Sequence, residues 1–581
     1  MKKTWSLLVA ALMLLSMVAG CTTEASTENP TQPAGTTQPA TTQPATSQAT
    51  SDGTTPDDNR PDDMADEQIL RIAQTTLAAG LFNPAYTING TEAKVDHLVY
   101  DSLFLITPDY NFEPKLCTSY EISDDSRTFT LHLAENVKWH DGQPFTAKDV
   151  QFTIEFMADP AYPGSQFSTV SFILGIDDYK AGTAQSIEGL KMLDDYTIEV
   201  TTKDVYAPFF ITWCDLYIIA EHIWGDVDMA TVTNQSELLR NPIGTGPFKL
   251  ERFEVDQYAM LTKNEDYFMG APLLDKIQLV LINAETAQGQ LLSGELDIID
   301  NSDFSDENLA PYKDGGYPIY TAFWATYQDV GCNLRENELL QDVNVRKALM
   351  HALDRQGVCD TIYNGYAVPA NTLYSPFFWA FPGNDVLEPY VYDRDKAIKI
   401  LTETVGWEFT DGVMYANGTP VSFDLYHANS AAGPIGKALV VFQQNFKDIG
   451  IELNLNTIEF AQLLDMVRAG EGWDFYQFAM GTGKDANALG VFGKEAIGKG
   501  NNFQGYYNPR VEELLAEGLT YVEIEKRKEV YAEIAKIIND ELPSLFICNW
   551  ESGMVTTPKL MNYSCSPNYG YPNLLNWYLA K

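Results

Sequence analysis

From Thr22 to about Ala65 the chain contains almost no large apolar side chains, so any core must be built from the residues beyond. This stretch repeats TTQPA over 36–45 and ends in the acidic run DGTTPDDNRPDDMADE. Such a composition buries too little surface to offset the entropy of ordering, which predicts a disordered, partly polyproline tether over 21–65. Roughly 45 residues of this kind span about 40 Å as a coil and ~140 Å drawn out as polyproline. The remaining 515 or so residues, about nine-tenths of the chain, are too many for one compact core, so two or three domains are expected.

Ahead of the tether, MKKTW and an apolar run from Leu7 to Val18 have the charged and hydrophobic parts of a secretory signal, too short for a normal membrane span. Val18-Ala19-Gly20-Cys21 resembles the lipobox of bacterial lipoprotein signals. That resemblance implies a signal peptide over 1–20 and a lipid on the Cys21 sulfur, holding the chain on the extracellular face of the cell membrane. One acyl chain binds only marginally, so stable attachment implies a diacylglycerol. No later segment offers some 18 uninterrupted apolar residues.

The 80 acidic and 38 basic side chains leave a formal charge of −42, which argues against nucleic acid as a partner because phosphate binding needs a basic face. Besides Cys21 there are Cys117, Cys214, Cys332, Cys359, Cys548 and Cys565, with no CxxC pair and no zinc-like spacing. They read as mostly buried small residues. The six histidines (97, 132, 140, 222, 351, 427) form no HExxH or other close pair on a helix, so no metal site is expected. His132 and His140, which flank a turn, read as structural hydrogen-bonders.

Helical and strand patterns alternate along the remainder. RTFTLHL (127–133) places Phe129, Leu131 and Leu133 on one face of a strand. TAKDVQFTIEFM follows as a helix, with Thr146 as N-cap and Asp149 completing a capping box. DVNVRKALMHALDR carries Val345, Ala348, Leu349, Ala352 and Leu353 as one helical stripe. KALVVFQQNFKDIG is a helix closed by Gly450, with the strand IELNL next, and VEELLAEGL and KRKEVYAEIAKIIND are two further helices. The mixture predicts an α/β fold with extra antiparallel ribbons.

No catalytic constellation stands out. There is no GxSxG elbow, and paired carboxylates carry no signal in a chain with 80 acids. GTGPFKL (244–250) lacks the GK[ST] ending of a phosphate loop and precedes a strand, so it reads as a tight backbone crossing. Aromatic residues are dense at YSPFFWAFPG (374–383), TAFWATYQ (321–328) and EGWDFYQF (471–478). Their default place is the core, but clusters beside Pro and Gly loops also line ligand cavities.

Five stretches, in order, resemble the family 5 extracellular solute-binding proteins, the peptide and nickel receptors of ABC importers. They are YDSLFLITPDYNFEPKLCTSYEISDDSRTFTLHLAENVKWHDGQPFTAKDVQFTIE, NPIGTGPFKLERFEVDQYAMLTKNEDYF, QGQLLSGELDIID, DVNVRKALMHALDR and ELPSLFICNW. The resemblance implies a two-lobed clamp of the type II periplasmic-binding-protein kind with an extra inserted domain. Lobe I would comprise 66–109, 230–330 and 545–581, the inserted domain 110–229, and lobe II 331–544, with hinge crossings near 330 and 545.

It further implies a ligand lying extended between the lobes, its backbone satisfied by strand-like hydrogen bonds. An aspartate after a lobe II strand, here Asp485, would pair with a peptide's α-amino group. Asn83 and Tyr86, in LFNPAYTING, match a stretch that lines the cleft, and Trp324, Tyr374, Trp379 and Thr482 are further candidates from the aromatic and loop segments. The expected function is a monomeric, lipid-anchored receptor that captures oligopeptides and hands them to an ABC permease and ATPase, without cofactor or catalysis. Other cargoes for the same clamp are a nickel chelate, haem, an oligosaccharide or a signalling peptide. A secreted hydrolase on a stalk is the reading from a different class.

Overall fold

The computed structural model describes residues 60–581 apart from 77, 88–89, 109, 233–236, 302, 429–432 and 567–570. The signal segment, Cys21 and the tether up to residue 59 therefore lie outside the described residues. No helix among the described residues is long and apolar enough to cross a membrane.

The fold is mixed α/β, organised by a 12-stranded sheet that changes character midway. In one half, Ile69–Gln74 lies parallel to Lys276–Leu281 and Ile298–Asn301, and Phe248–Glu254 and Tyr258–Lys263 extend the edge as an antiparallel ribbon. In the other half, Ser422–Ala428 lies parallel to both Glu452–Ile458 and Phe475–Gly481. The 13-residue strand Ser544–Thr556 joins the halves. Its first part pairs with Thr326–Cys332 and its last part with Ile298–Asn301 and Ile319–Phe323. The chain also crosses at Trp324–Ala325, between the strands Ile319–Phe323 and Thr326–Cys332.

A separate four-stranded antiparallel sheet runs in the order Cys117–Ile122, Thr128–Leu133, Thr197–Thr201, Leu190–Asp194. The strand Thr128–Leu133 buries Phe129, Leu131 and Leu133 on one face, as the period-2 pattern requires. The helix Ala147–Ala158 packs on this sheet, opened by the reciprocal Thr146–Asp149 capping box that its sequence prescribes. Phe129, Leu131 and Val150 belong to the same apolar core as Leu70, Leu261 and Ile277 of the large sheet. The second half of that sheet has its own core, including Val345, Leu349, Leu439, Phe475 and Ile534.

Local signals act where expected. The helix Val343–Ala352 is capped by Asp342 and buries Val345, Ala348, Leu349 and Ala352. Gly450, at φ +78°, ends the segment after Pro434–Asp448 and releases the chain into Glu452–Ile458. GTGPFKL is a crossing of backbone over backbone: a Cβ on Gly246 would lie 2.6 Å from the Leu98 carbonyl oxygen, and one on Gly244 would collide with that of Val99. His140 sits beside it, its Nε2 2.9 Å from the Gly246 carbonyl oxygen, and burial pushes the imidazole down to about 4. Cys117, Cys214, Cys332, Cys359 and Cys548 are buried free thiols.

Candidate functional site

The helix Ile524–Glu541 sets one wall of the site. Ile524, Arg527, Tyr531, Ile534, Ala535 and Ile538 follow one another at helical spacing, so an arginine occupies the stripe that otherwise faces apolar neighbours. Its side chain is only 5% exposed. Nε donates to the Gly518 carbonyl at 3.0 Å, and Nη2 donates to Asp485 Oδ1 at 2.7 Å and to the Tyr531 hydroxyl at 3.0 Å. The guanidinium carbon also lies 5.2 Å from the Trp379 ring centre, within cation–π range. Burial works against the charge, but Asp485 and Tyr531 outweigh it and hold the guanidinium above its ordinary value.

Asp485 lies in the loop after the strand Phe475–Gly481. Its Oδ1 accepts the Asn487 backbone N–H at 2.9 Å as well as the Arg527 contact. Among the described residues Oδ2 has no hydrogen-bond partner, and neither has Arg527 Nη1. Next to it, Lys484 reaches across to Asp215 Oδ1 at 2.5 Å.

These groups line a cavity of about 280 Å³. Its opposite wall comes from the four-stranded-sheet region, where Phe112 and Phe210 stack at 4.5 Å and Tyr120 packs 4.3 Å from Phe210. Two further contacts bridge the same divide: the Ala207 N–H donates to the Leu519 carbonyl at 3.1 Å, and the Ala325 N–H to the Tyr110 hydroxyl at 3.1 Å. The second bond ties the cavity wall to the crossing at Trp324–Ala325. The charged groups in the lining are Lys484, Arg527 and Asp485, and both cations are paired, Lys484 with Asp215 and Arg527 with Asp485.

Of the residues singled out from the sequence, the structure brings Trp379 and Asp485 together in this cavity. Thr482 lies half-buried in the same loop. Tyr374 is behind them in the core, its hydroxyl donating to the Ala486 carbonyl at 2.8 Å, so it supports the loop that carries Asp485. Trp324 is buried at the crossing between the sheet halves. Asn83 and Tyr86 lie elsewhere. Asn83 is fully buried, its Oδ1 accepting the Ala85 N–H at 2.8 Å, and Tyr86 stacks on Trp224 at 5.9 Å among Phe156 and Tyr162. Burial pushes the Tyr86 phenol up to about 12. Arg527, Phe112, Tyr120 and Phe210 are cavity residues that sequence reading passes over. The available signal for Arg527 was its position within an apolar stripe.

Two sheet halves with separate cores, joined through Ser544–Thr556 and the 324–325 link, with a ligand-sized cavity between walls from distant segments, define a two-lobed binding clamp. The chain belongs to the bacterial extracellular solute-binding proteins, family 5, whose "Middle" profile matches residues 111–494. It is accordingly a transport binding protein and not an enzyme. It is 28% identical over 507 residues to the oligopeptide-binding protein AppA of Bacillus subtilis, covering 86% of this chain and 90% of that one. Heme-binding protein A of Haemophilus influenzae is 26% identical over 510 residues, with 84% and 88% covered. The solved structure of Bacillus subtilis AppA in complex with a nonapeptide matches with a TM-score of 0.67 at 26% identity, covering 89% of this chain and 100% of that one.

Proposed function

We propose that this chain is the membrane-anchored binding component of an ABC importer, capturing peptides in the cavity around Asp485 and delivering them to a permease and ATPase complex. It works as a monomer on the extracellular face, held by lipid on Cys21 and given reach by the Thr/Pro/Gln tether. Lobe I takes 66–109, 230–330 and 545–581, the inserted domain 110–229 and lobe II 331–544. The division of the apolar residues into two large cores supports the boundary between lobe II and the rest. Peptide is favoured as cargo by the likeness to AppA over most of both chains.

The observation that carries the reading is the half-used carboxylate of Asp485. Oδ1 is engaged by Arg527 and the Asn487 N–H, which fixes the group and leaves Oδ2 to accept a ligand's α-ammonium. Trp379 and Thr482 flank that position, while Tyr374 and Trp324 hold the loop and the crossing. Asn83 and Tyr86 are the ligand-facing candidates of lobe I.

Asp485→Asn keeps an oxygen acceptor for Arg527 and removes the charge an ammonium would need. A charge-assisted hydrogen bond of this kind contributes about 1.5–3 kcal/mol. Calorimetric titration is expected to show peptides with a free amine binding at least ~10-fold more weakly to the variant, with N-acetylated peptides unaffected. Equal affinity of parent and variant for free-amine peptides would remove Asp485 from the site.

A further inference from the structure

We infer that Cys359 and Cys548 join in a disulfide when this chain folds outside the cell, by exchange with a disulfide oxidant. The bond requires export and is independent of the cargo the clamp holds.

The first support is the way two elements are seated on each other. Arg355, Cys359 and Tyr363 are spaced four apart, so they share one side of the helix Arg355–Thr361 and the turn that follows it. That side lies on the strand Ser544–Thr556. Arg355 Nη1 donates to the Phe546 carbonyl at 3.1 Å and also to the Ala370 carbonyl, which pins one end of the helix. One helical turn on from Arg355, and two strand residues on from Phe546, Cys359 meets Cys548. The Cys548 thiol is hydrogen-bonded to the Cys359 sulfur and to the Tyr363 hydroxyl.

The other thiols give the second support by contrast. Cys117 donates to the Ser119 carbonyl at 3.2 Å and Cys214 to the Phe210 carbonyl at 3.4 Å, and Cys332 lies against the backbone of Leu545. Each of these is a buried small side chain paired with main chain. Cys359 and Cys548, far apart in sequence, are paired with each other.

Chemistry and compartment give the third. Members of this family are extracellular, and disulfides form and persist in oxidising surroundings. Both cysteines are fully buried, and burial pushes the Cys548 thiol well above its ordinary value, so the packed protein offers little thiolate for exchange. Exchange therefore belongs to folding, before the helix closes over the strand, and the finished bond is shielded from reductant. One cysteine thiolate attacks a sulfur of the oxidant's disulfide, forming a mixed disulfide and expelling a thiolate; the other cysteine thiolate then attacks the protein sulfur and expels the second. The protein gives up two electrons and two protons, and the oxidant's S–S bond becomes two thiols. The new bond would fix the first part of Ser544–Thr556 to the second half of the sheet, leaving the part paired with Ile298–Asn301 free to bend.

The test is refolding of the purified, fully reduced full-length protein in a glutathione redox buffer or in dithiothreitol throughout, followed by alkylation in denaturant and peptide mapping. The expected result after glutathione is a peptide pair linked through Cys359 and Cys548, and after dithiothreitol both cysteines alkylated. The oxidised form is expected to melt at least ~4 °C higher than the reduced one. Cys359→Ser is expected to leave Cys548 alkylated and to remove that difference, while Cys332→Ser, at a buried thiol that meets only backbone, keeps it. Should Cys359→Ser not fold, the peptide map of the parent decides the matter alone. Alkylation of both Cys359 and Cys548 after refolding in glutathione overturns the pairing, as does a linked peptide joining either of them to a different cysteine.

Discussion

Asp329→Asn is expected to make the protein more stable than its parent at pH 8.5, by about 5–6 kcal/mol, with the difference vanishing towards pH 4. Asp329 lies in the strand Thr326–Cys332, fully buried, and neither carboxylate oxygen has a hydrogen-bond partner among the described residues. The nearby hydroxyl of Ser544, which accepts from Gln504 Nε2 at 2.8 Å, offsets this burial only in part, and Tyr327, Cys332 and Tyr476 add no positive charge. Burial therefore pushes the carboxyl up from the usual 3.8 to about 8.

The folded protein keeps this proton between those two values, where the unfolded chain has released it. Stability from this group is fully present below pH 4 and is lost progressively as pH rises to about 8. An asparagine has no proton to release, so the variant escapes that loss. Thermal unfolding at pH 4.5, 6.5 and 8.5 checks this. Parallel pH profiles for parent and variant would contradict it.

Gly244→Ala is expected to destabilise by at least ~3 kcal/mol, or to prevent accumulation of folded protein. The added Cβ would run into the Val99 carbonyl oxygen, part of the main chain, which no side-chain rotation can relieve. The crossing also carries paired groups that a shift would break: the Gly246 N–H donates to that same Val99 carbonyl at 2.8 Å, and the Gly244 carbonyl accepts the His140 N–H at 2.8 Å. Gly289→Ala is the matched control, since its Cβ would meet nothing within 4 Å in the helix Ala287–Ser293. There alanine is expected to be neutral or to add up to about 1 kcal/mol. Thermal unfolding of the two variants side by side measures the contrast, and equal melting temperatures would mean that the crossing yields.

Local elements were largely readable because their physics is local. The Thr146–Asp149 capping box, the Val345–Ala352 stripe, the Gly450 terminator and the alternation in Thr128–Leu133 each depend on residues within a turn or two. GTGPFKL could be read as a crossing, but which strand of backbone it crosses could not, since Val99 is far away in sequence. The cavity was legible in part. Trp379 and Asp485 lie in segments whose composition or position marked them, whereas Arg527 sits in a helix already rich in lysine and glutamate, where one more charge draws no notice.

The other wall, Phe112, Tyr120 and Phe210, comes from two strands and a short helix that a sequence presents as ordinary core. Asn83 and Tyr86 lie outside this cavity. Resemblance marked them, and their side chains close a turn and join an aromatic cluster around Trp224.

The central claim is that this clamp holds a peptide and returns it unchanged. The direct measurement is to incubate the purified full-length protein with a defined peptide mixture, isolate the complex and weigh it intact by native mass spectrometry, then identify the released ligand. The account predicts one intact peptide per protein chain, with a free amine, and no cleavage products in solution. A protein that retains no peptide from the mixture, or that converts it into fragments, would contradict it.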